Sequence, residues 1–296
     1  MEHIVQNSSI LTRRHLYARM RKGIFAFLTY VILSATAALF VIPFLWLVIT
    51  SLKPLNQVFT DPPRWIPDPI VWQNYVEALT SPAFPFLRLL RNTLFYSVFS
   101  TLGVVISCSI VAYAFARMEF WGRDLLFSIT LSTMMLPGIV TLIPTYVLFR
   151  VFGWVGTYAP LIVPYFFGSA FNIFLLRQFL MTIPWELTDA ARVDGANEFV
   201  ILWKILLPLV RPALMVVAVF HFMWTWNDFM GPLIYLDDAS EYPLVLGLYA
   251  FQTRFGVKWN LMMAASLSVT FPLIALFFAA QRQFIEGITL TGLKGV

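Results

Sequence analysis

Long stretches without charged residues are the feature that most limits how this chain can fold. A helix that crosses the hydrocarbon core of a bilayer needs about 20 largely apolar residues. Six charge-free stretches meet or approach that length: Ile24–Leu52, Asn92–Ala116, Leu125–Phe149, Val151–Leu176, Pro212–Asn227 (extended backwards by Ile205–Val210) and Asn260–Gln281. Only 12% of the 296 residues are charged, roughly half the usual fraction of a soluble domain. The sequence therefore predicts an all-α integral membrane protein with six transmembrane helices.

Positively charged residues indicate how these helices are oriented, because Lys and Arg are enriched in cytoplasmic loops. With both termini in the cytoplasm, cytoplasmic segments hold thirteen of the 20 Lys and Arg residues. The first span is long and lacks a small-residue cleavage site, so we interpret it as a retained helix and not as a signal peptide. The net charge of +5 comes largely from this anchoring pattern. No basic stripe with interleaved aromatic residues indicates nucleic-acid binding.

The predicted spans divide the chain into a cytoplasmic N-terminal segment, residues 1–23, and one transmembrane domain, residues 24–296. The segments between and after the spans are an outer loop at 53–91, a cytoplasmic loop at 181–204, a second outer loop at 229–260 and a cytoplasmic tail at 283–296. The first outer loop should be ordered, because Trp65, Trp72 and Tyr75 need surfaces on which to pack. The second has an apolar piece too short to span a bilayer, and we expect it to hold one short helix.

Prolines and glycines interrupt two of the spans. The third contains Pro137, Gly138 and Pro144, which interrupt helical backbone hydrogen bonding. Such residues are tolerated in a membrane only where neighbouring helices or a water-filled path satisfy the freed groups. A lined cavity and a plain packing kink are both open explanations. The fourth stretch begins with glycines and prolines, so its helix is expected to start near Ala159.

Several kinds of chemistry have no residues to carry them in this sequence. No carboxylate lies inside a predicted span, since Asp228 is at the end of one, whereas ion-coupled transporters keep such groups as relays or ion sites. The sequence has no H-E-x-x-H, no G-x-S-x-G and no Gly-Lys dipeptide, so it lacks metalloprotease, nucleophile-turn and P-loop motifs. Cys108 is the one cysteine and is expected to be a small buried hydrophobe. We expect no catalytic residue, metal site or bound cofactor in this chain.

One charged segment stands out between two apolar stretches, "LTDAARVDGANEF" from Leu187 to Phe199. Pro184 suits a first helical turn, nearby carboxylates favour the positive end of the helix dipole, and Gly195 suits the left-handed residue that ends a helix. The pattern predicts a short helix from Trp185 to Asp194. Its 3.6-residue spacing places a small-residue surface on one face, made by Leu187, Ala190, Ala191 and Asp194. A solvated connector is the alternative on helix signals alone.

The same segment, continued as "DAARVDGANEFVILWKILLP", resembles the cytoplasmic E-A-A-x3-G-x9-I-x-L-P loop of ABC-importer permeases. The spacing from Asp189 through Gly195 to Pro208 matches throughout, and Asp189 in place of the usual glutamate is the one departure. The resemblance implies a coupling helix that sits in a cleft of the ATPase subunit. The residues it assigns to that contact are Glu186, Leu187, Asp189, Ala190, Ala191, Asp194 and Gly195.

Other motifs extend the resemblance over roughly residues 51–296. They include "SLKP", "AYAFAR", "MMLPG", "IPTYVLF", "WNDFMGPL" and "GITLTGLKG". Together they are similar to the second, six-helix permease of the carbohydrate-uptake branch, with a fold like that of a type I ABC importer permease. The tail from Glu286 resembles that family's C-terminal segment, which reaches between the ATPase subunits, with a frayed terminus as the alternative.

The resemblance implies a sugar or oligosaccharide importer that works by alternating access in the cytoplasmic (inner) membrane of a bacterium or archaeon. It implies three kinds of partner besides the carbohydrate and membrane lipid. A second permease would complete a heterodimer, two ATPase subunits would bind ATP and Mg²⁺, and a solute-binding protein would dock outside. The individual carbohydrate is left open by the sequence.

The fifth span, within "VFHFMWTWNDFMGPL", is the predicted substrate path. Counting from Ile205 as one straight helix at about 1.5 Å per residue places His221 roughly 24 Å up the bilayer. His221, Trp224, Asn227 and Asp228 would supply an aromatic platform and hydrogen-bonding groups suited to sugars. In the alternative interpretation Trp224 and Trp226 belong to an interfacial aromatic belt, and Asn227 with Asp228 caps the helix and orders the next turn.

Two other classes of protein compete with an ATP-driven importer. An ion-coupled secondary transporter would show inverted repeats and midplane carboxylates, and neither is visible. An integral-membrane enzyme would need a polar constellation inside the bilayer, for which His221 alone is too little.

Overall fold

Apolar helices of membrane-spanning length dominate the structure, a computed structural model. It describes the backbone of residues 2–253 and 256–292 and the side chains of residues 22–252 and 256–281. Within these residues, four helices are long and apolar enough to cross a membrane, and up to six spans result if each of two bent helix pairs is one span. The predicted all-α class is confirmed in its helical character, with 76% of the chain helical.

The first half of the chain forms seven α-helices among its described residues. They are α1 Glu2–Ser51, α2 Gln73–Thr80, α3 Phe86–Arg117, α4 Arg123–Thr133, α5 Gly138–Val151, α6 Ala159–Ile162 and α7 Ala170–Met181. Short 3-10 helices follow α1 and α6, at Leu55–Gln57 and Val163–Phe167. The start of α6 at Ala159 confirms the boundary expected from the sequence.

The second half continues with α8 Trp185–Val193, α9 Glu198–Val200, α10 Leu207–Leu209, α11 Arg211–Trp226, α12 Met230–Tyr235, α13 Leu244–Gly247 and α14 Trp259–Gly292. A π-helical segment, Ile201–Leu206, joins α9 to α10. Two further 3-10 helices are Ala239–Glu241 and Leu248–Phe251. A two-stranded antiparallel hairpin, β1 Gln252–Thr253 and β2 Gly256–Val257, pairs Gln252 with Val257.

Two of the predicted spans are broken. In the third, α4 and α5 meet at 100°, and the break falls at Pro137, whose extended backbone precedes α5. The fifth is bent by 82° between residues 198–209 and α11, beside Pro208 and Pro212. The straight rise from Ile205 is therefore wrong, and His221 lies only about 15 Å along α11 from its first residue, at 1.5 Å per residue.

The loop between α11 and α14 is also more structured than expected. The sequence predicted one short helix there, whereas the structure has α12, α13, two 3-10 helices and the hairpin. The tail prediction falls partly outside the described residues, because α14 is described as far as Gly292 and its side chains only to residue 281.

Helix α3 is central to the packing. It contacts α7, α11 and the 3-10 helix Val163–Phe167. One apolar core surrounds its C-terminal half and includes residues of α7, α8 and the 201–217 segment. A second core surrounds its N-terminal end, together with Trp226, α13 and the start of α14. The two ends of the bundle are called here the α8 end and the loop end, the latter formed by residues 52–85 and 227–258.

At the loop end, a buried amide network ties α1, α2 and α14 together. The side-chain amide of Asn74 donates to the carbonyl oxygens of Ser51 and Lys53, both at 2.8 Å, and accepts a 2.9 Å bond from Asn260. The Tyr75 hydroxyl lies 2.7 Å from the Ser51 hydroxyl. The lower part of α1, from residue 22 to 45, is exposed on this chain, so this network fixes α1 at one end.

The aromatic residues of this loop pack only in part as predicted. Trp65 meets Trp46 edge-on, with ring centroids 5.4 Å apart, and Tyr75 joins the amide network. Trp72, in contrast, is 67% exposed. The buried Lys53 ammonium lies 4.2 Å from the Trp46 ring centroid, and burial lowers the pKa of Lys53.

Replacing Asn74 with alanine should destabilise the loop end. The change leaves two buried carbonyl groups and the Asn260 amide without their hydrogen bonds, at a cost of about 1–3 kcal/mol per group. Thermal unfolding of the detergent-solubilised protein measures the effect. The neighbouring Gln73→Ala, at an exposed position on the same helix, serves as control. Equal unfolding temperatures for Asn74→Ala and Gln73→Ala would contradict the role of the network.

Candidate functional site

The charged segment between α7 and α11 folds as the sequence predicted. Helix α8 runs from Trp185 to Val193, with Asp194 as its C-terminal cap. Gly195 follows with a φ of +82°, the left-handed conformation that favours glycine. The predicted helix and the glycine that ends it are both confirmed.

The two alanines of α8 lie in different environments. Ala191 is 7% exposed and belongs to the core around α3, and Thr188 is fully buried. Ala190 is exposed, as is Leu187 at 45%. The sequence placed both alanines on one contact face, whereas only Ala190 is on the open surface of this chain.

Charged groups surround the open face of α8. Glu186, Asp189, Asp194 and Gly195 are exposed. Arg192 pairs with Glu198 at 3.1 Å and reaches Asp189 at 3.4 Å. The hydrogen bond to Glu198 raises the pKa of Arg192, so the guanidinium keeps its charge.

A second candidate site is a series of three neighbouring cavities, of which the second and third are lined by residues of α11. The first, of about 660 Å³, is at the loop end and is lined by Arg88, Tyr242 and Tyr249 among others. The second, of about 630 Å³, shares Phe229 with it. The third, of about 370 Å³, shares Phe220 and Trp224 with the second. Shared lining residues therefore make a continuous series from the loop end along α11.

All four residues of the predicted substrate path line the second or third cavity. Trp224 lines both and is 71% exposed. Asn227 and Asp228 line the second, and His221 lines the third. Trp226, in contrast, is 1% exposed and donates its indole N–H to the Val269 carbonyl at 3.2 Å. The alternative that placed Trp226 in an interfacial belt is wrong.

Asn227 and Asp228 also have a structural role. The Asn227 amide donates to the Met223 carbonyl at 2.7 Å, which caps the last turn of α11. Asp228 Oδ1 accepts the Gly231 N–H at 3.0 Å, and its Oδ2 accepts the Tyr96 hydroxyl at 2.8 Å. The alternative interpretation, a helix cap that orders the following turn, is confirmed for this pair, although both residues also face the cavity.

The third cavity includes residues that the sequence interpretation missed. Tyr165 and Ser169 come from the broken region before α7, and Asn172 comes from the first turn of α7. Tyr165 meets the His221 ring edge-on at 4.4 Å between centroids, and Asn172 donates to the Ser169 hydroxyl at 3.2 Å. Nε2 of the buried His221 has no hydrogen-bond partner in the described part of the chain. The sequence signal that could have identified these residues is the presence of polar side chains within an apolar stretch.

The cavity series therefore offers aromatic rings beside amide, hydroxyl and imidazole groups. Flat rings suit the apolar faces of a polyhydroxylated molecule, and a few placed polar groups suit its hydroxyls. Glycine at position 231 is required here, because an added Cβ would lie 2.4 Å from the Asp228 carboxylate and 2.9 Å from Leu161.

Known proteins resemble this chain over most of its length. Residues 106–289 match the family described as "Binding-protein-dependent transport system inner membrane component". The trehalose/maltose transport system permease protein MalG of Thermococcus litoralis is 32% identical, over 89% of this chain and 94% of that one. The arabinooligosaccharides transport system permease protein AraQ of Halalkalibacterium halodurans is 31% identical, over 86% and 91%.

A solved structure shares the fold. It is that of a bacterial ABC transporter involved in the import of the acidic polysaccharide alginate, with a TM-score of 0.77 and 24% identity over 88% of this chain and 96% of that one. The fold is thus like that of an ABC importer permease. This chain is a member of the family of inner-membrane components of binding-protein-dependent transport systems.

Proposed function

We propose that this chain is the transmembrane permease subunit of an ATP-driven, binding-protein-dependent importer for a sugar or oligosaccharide. The observation that carries the proposal is the series of three adjoining cavities along α11, lined by aromatic and hydrogen-bonding side chains. The named relatives, which transport trehalose, maltose or arabinooligosaccharides, support a carbohydrate as the substrate.

In this proposal the loop end faces outward and the α8 end faces the cytoplasm, so that both termini are cytoplasmic. An external solute-binding protein delivers the carbohydrate to the first cavity. A second permease subunit packs beside this chain, and α4 supports such a surface because none of its residues is buried here. Six transmembrane helices result when each bent pair counts as one span.

Two separate ATPase subunits bind ATP and Mg²⁺ and hydrolyse the ATP. They contact the open face of α8 through Leu187 and Ala190, with Glu186, Asp189 and Asp194 around it. Closure of the ATPases moves α8 and opens the cavity outward, and hydrolysis resets it, which is alternating access. Ala191 and Gly195 contribute by holding α8 in place, the first through the core and the second through the left-handed cap.

Transport assays on the assembled complex in proteoliposomes test the proposal. Trehalose, maltose and arabinooligosaccharides serve as probes, with the solute-binding protein outside and ATP inside. Uptake that requires both would support it. An ion-coupled transporter, the alternative class, would instead take up its substrate with this chain alone, under an ion gradient and without ATP.

Trp224→Ala should lower carbohydrate uptake about tenfold, because it removes the ring shared by two cavities; tenfold corresponds to about 1.4 kcal/mol. Trp224 is largely exposed, so the protein should still assemble. The matched control is Trp121→Ala, since Trp121 is 97% exposed and lies outside the α11 cavities. Uptake by Trp224→Ala equal to that of the control would remove α11 from the substrate path.

The two alanines of α8 should respond differently to a bulky replacement. Ala190→Leu should weaken co-purification of the ATPase subunit without changing the unfolding temperature. Ala191→Leu should lower the unfolding temperature, because overpacking a core costs about 1–3 kcal/mol. The same result for both variants would contradict the assignment of Ala190 to the contact and of Ala191 to the core.

Gly195→Val should destabilise the end of α8, because a β-branched residue does not readily adopt the left-handed conformation found there. Both ATPase co-purification and uptake should fall below those of Ala190→Leu. Full co-purification in Gly195→Val would show that the cap does not position the helix.

A further inference from the structure

Two side chains of α3, one helical turn apart, hold α8 at both of its ends. They are Tyr113 and Arg117, at positions i and i+4 and therefore on the same face of the helix. Both are buried, with 4% and 1% of their surface exposed. The coupling assignment from the sequence involved residues of α8 itself and did not include them.

Arg117 fixes the start of α8. Its Nη2 donates to the carbonyl oxygens of Leu180, at 2.6 Å, and Ile183, at 2.5 Å, at the end of α7 and in the turn that follows it. The guanidinium also lies 4.7 Å from the ring centroid of Trp185, the first residue of α8. One side chain of α3 thereby sets the turn between α7 and α8.

The remaining donors of Arg117 indicate more than packing. Within the described residues, Nε and Nη1 are buried and have no hydrogen-bond partner. A buried charge that is only partly satisfied lowers stability. Burying an apolar side chain in this space would cost less free energy. We therefore attribute the guanidinium to its contacts with Leu180, Ile183 and Trp185.

Tyr113 fixes the end of α8. Its hydroxyl donates to a carboxylate oxygen of Glu198. Glu198 forms the 3.1 Å ion pair with Arg192, in the last turn of α8. Between the two ends, Thr188 is buried, and Ala191 is buried in a core that also contains residues of α3. Helix α3 thus contacts α8 directly at Trp185 and holds the segments on both sides of α8 through Leu180, Ile183 and Glu198.

The same helix α3 contacts the cavity series farther along its length. The Ser107 hydroxyl donates to the Tyr165 carbonyl at 2.9 Å, and the Cys108 thiol accepts the Ser169 N–H at 3.3 Å. Tyr96 donates to Asp228. From Tyr96 to Arg117, α3 is one unbroken helix, about 32 Å long at 1.5 Å per residue.

We propose that Tyr113 and Arg117 are the positioning residues that make α3 carry the movement of α8 to the cavities. The proposal rests on the proposed function, in which the ATPase subunits displace α8. Because short, directional contacts hold the segments on both sides of α8 to α3, a displacement of α8 together with these segments shifts α3 as a body. Because α3 also contacts Tyr165, Ser169 and Asp228, the cavity lining shifts with it. Without the two contacts, α8 still binds the ATPase but moves alone.

An accessibility measurement on the full complex tests this without a carbohydrate. Met230→Cys places a thiol at an exposed position that lines the second cavity, whereas the native Cys108 is fully buried. The maleimide labelling rate is measured with and without ATP. Tyr113→Phe, Arg117→Ala and Arg117→Lys are then introduced, and ATP hydrolysis, ATPase co-purification and unfolding temperature are recorded in parallel.

We expect ATP to change the labelling rate in the parent. In Tyr113→Phe and Arg117→Ala the change should shrink about fivefold or more, the lower range of allosteric coupling, while ATP hydrolysis and ATPase co-purification persist. Arg117→Lys, which keeps the charge, should restore part of the ATP-dependent change in labelling rate. Ser109→Ala is the matched control, because that buried hydroxyl bonds only to the Val105 carbonyl of α3 itself.

Each other outcome is decisive. If ATP leaves the labelling rate of the parent unchanged, alternating access in the proposed function fails. If the parent responds and Tyr113→Phe and Arg117→Ala respond equally, the role of α3 is overturned while the proposed function stands. Loss of ATPase co-purification together with a lower unfolding temperature in both variants would assign them to fold stability and would also overturn the proposal.

Discussion

Satisfaction of backbone hydrogen bonds in apolar surroundings is the constraint on which this structure depends. A helix that breaks inside a membrane frees N–H and C=O groups that lipid cannot satisfy. Here the helix break before α7 is satisfied by α3, through Ser107 to the Tyr165 carbonyl and Cys108 to the Ser169 N–H. Arg117 does the same for the end of α7. The irregular segments therefore exist because one unbroken helix carries polar side chains along its length.

The same polar side chains explain why the third cavity forms beside the helix break before α7. A continuous α7 would place its side chains in a regular stripe, whereas the break turns Ser169 and the residues around it toward α11. His221 and Trp224 complete the wall from the other side. The backbone groups freed by the break and the side chains that line the cavity belong to neighbouring residues of the chain. The helix break therefore determines both the shape and the chemistry of the site.

Sequence reasoning succeeded where the signal is local. The ends of α8 follow from Pro184 and Gly195, whose preferences act within one helical turn. The break at Pro137 was expected for the same reason. The 82° bend before α11 was missed, because prolines indicate a break but give no angle, which packing decides. Tyr165 was missed because its place in the cavity depends on a contact with a different span.

The adjacent alanines of α8 show what a periodic sequence pattern can and cannot predict. Ala190 and Ala191 have the same side chain and lie 100° apart on α8 by helical geometry, yet one faces the open surface and the other the core. The sequence analysis placed both alanines on one face from their spacing alone. The periodicity of a short helix does not indicate which element covers which face. The deciding information is the position of the core. Because the core covers the Ala191 face and leaves the Ala190 face open, α8 presents one face to the interior of the chain and the other to its surface.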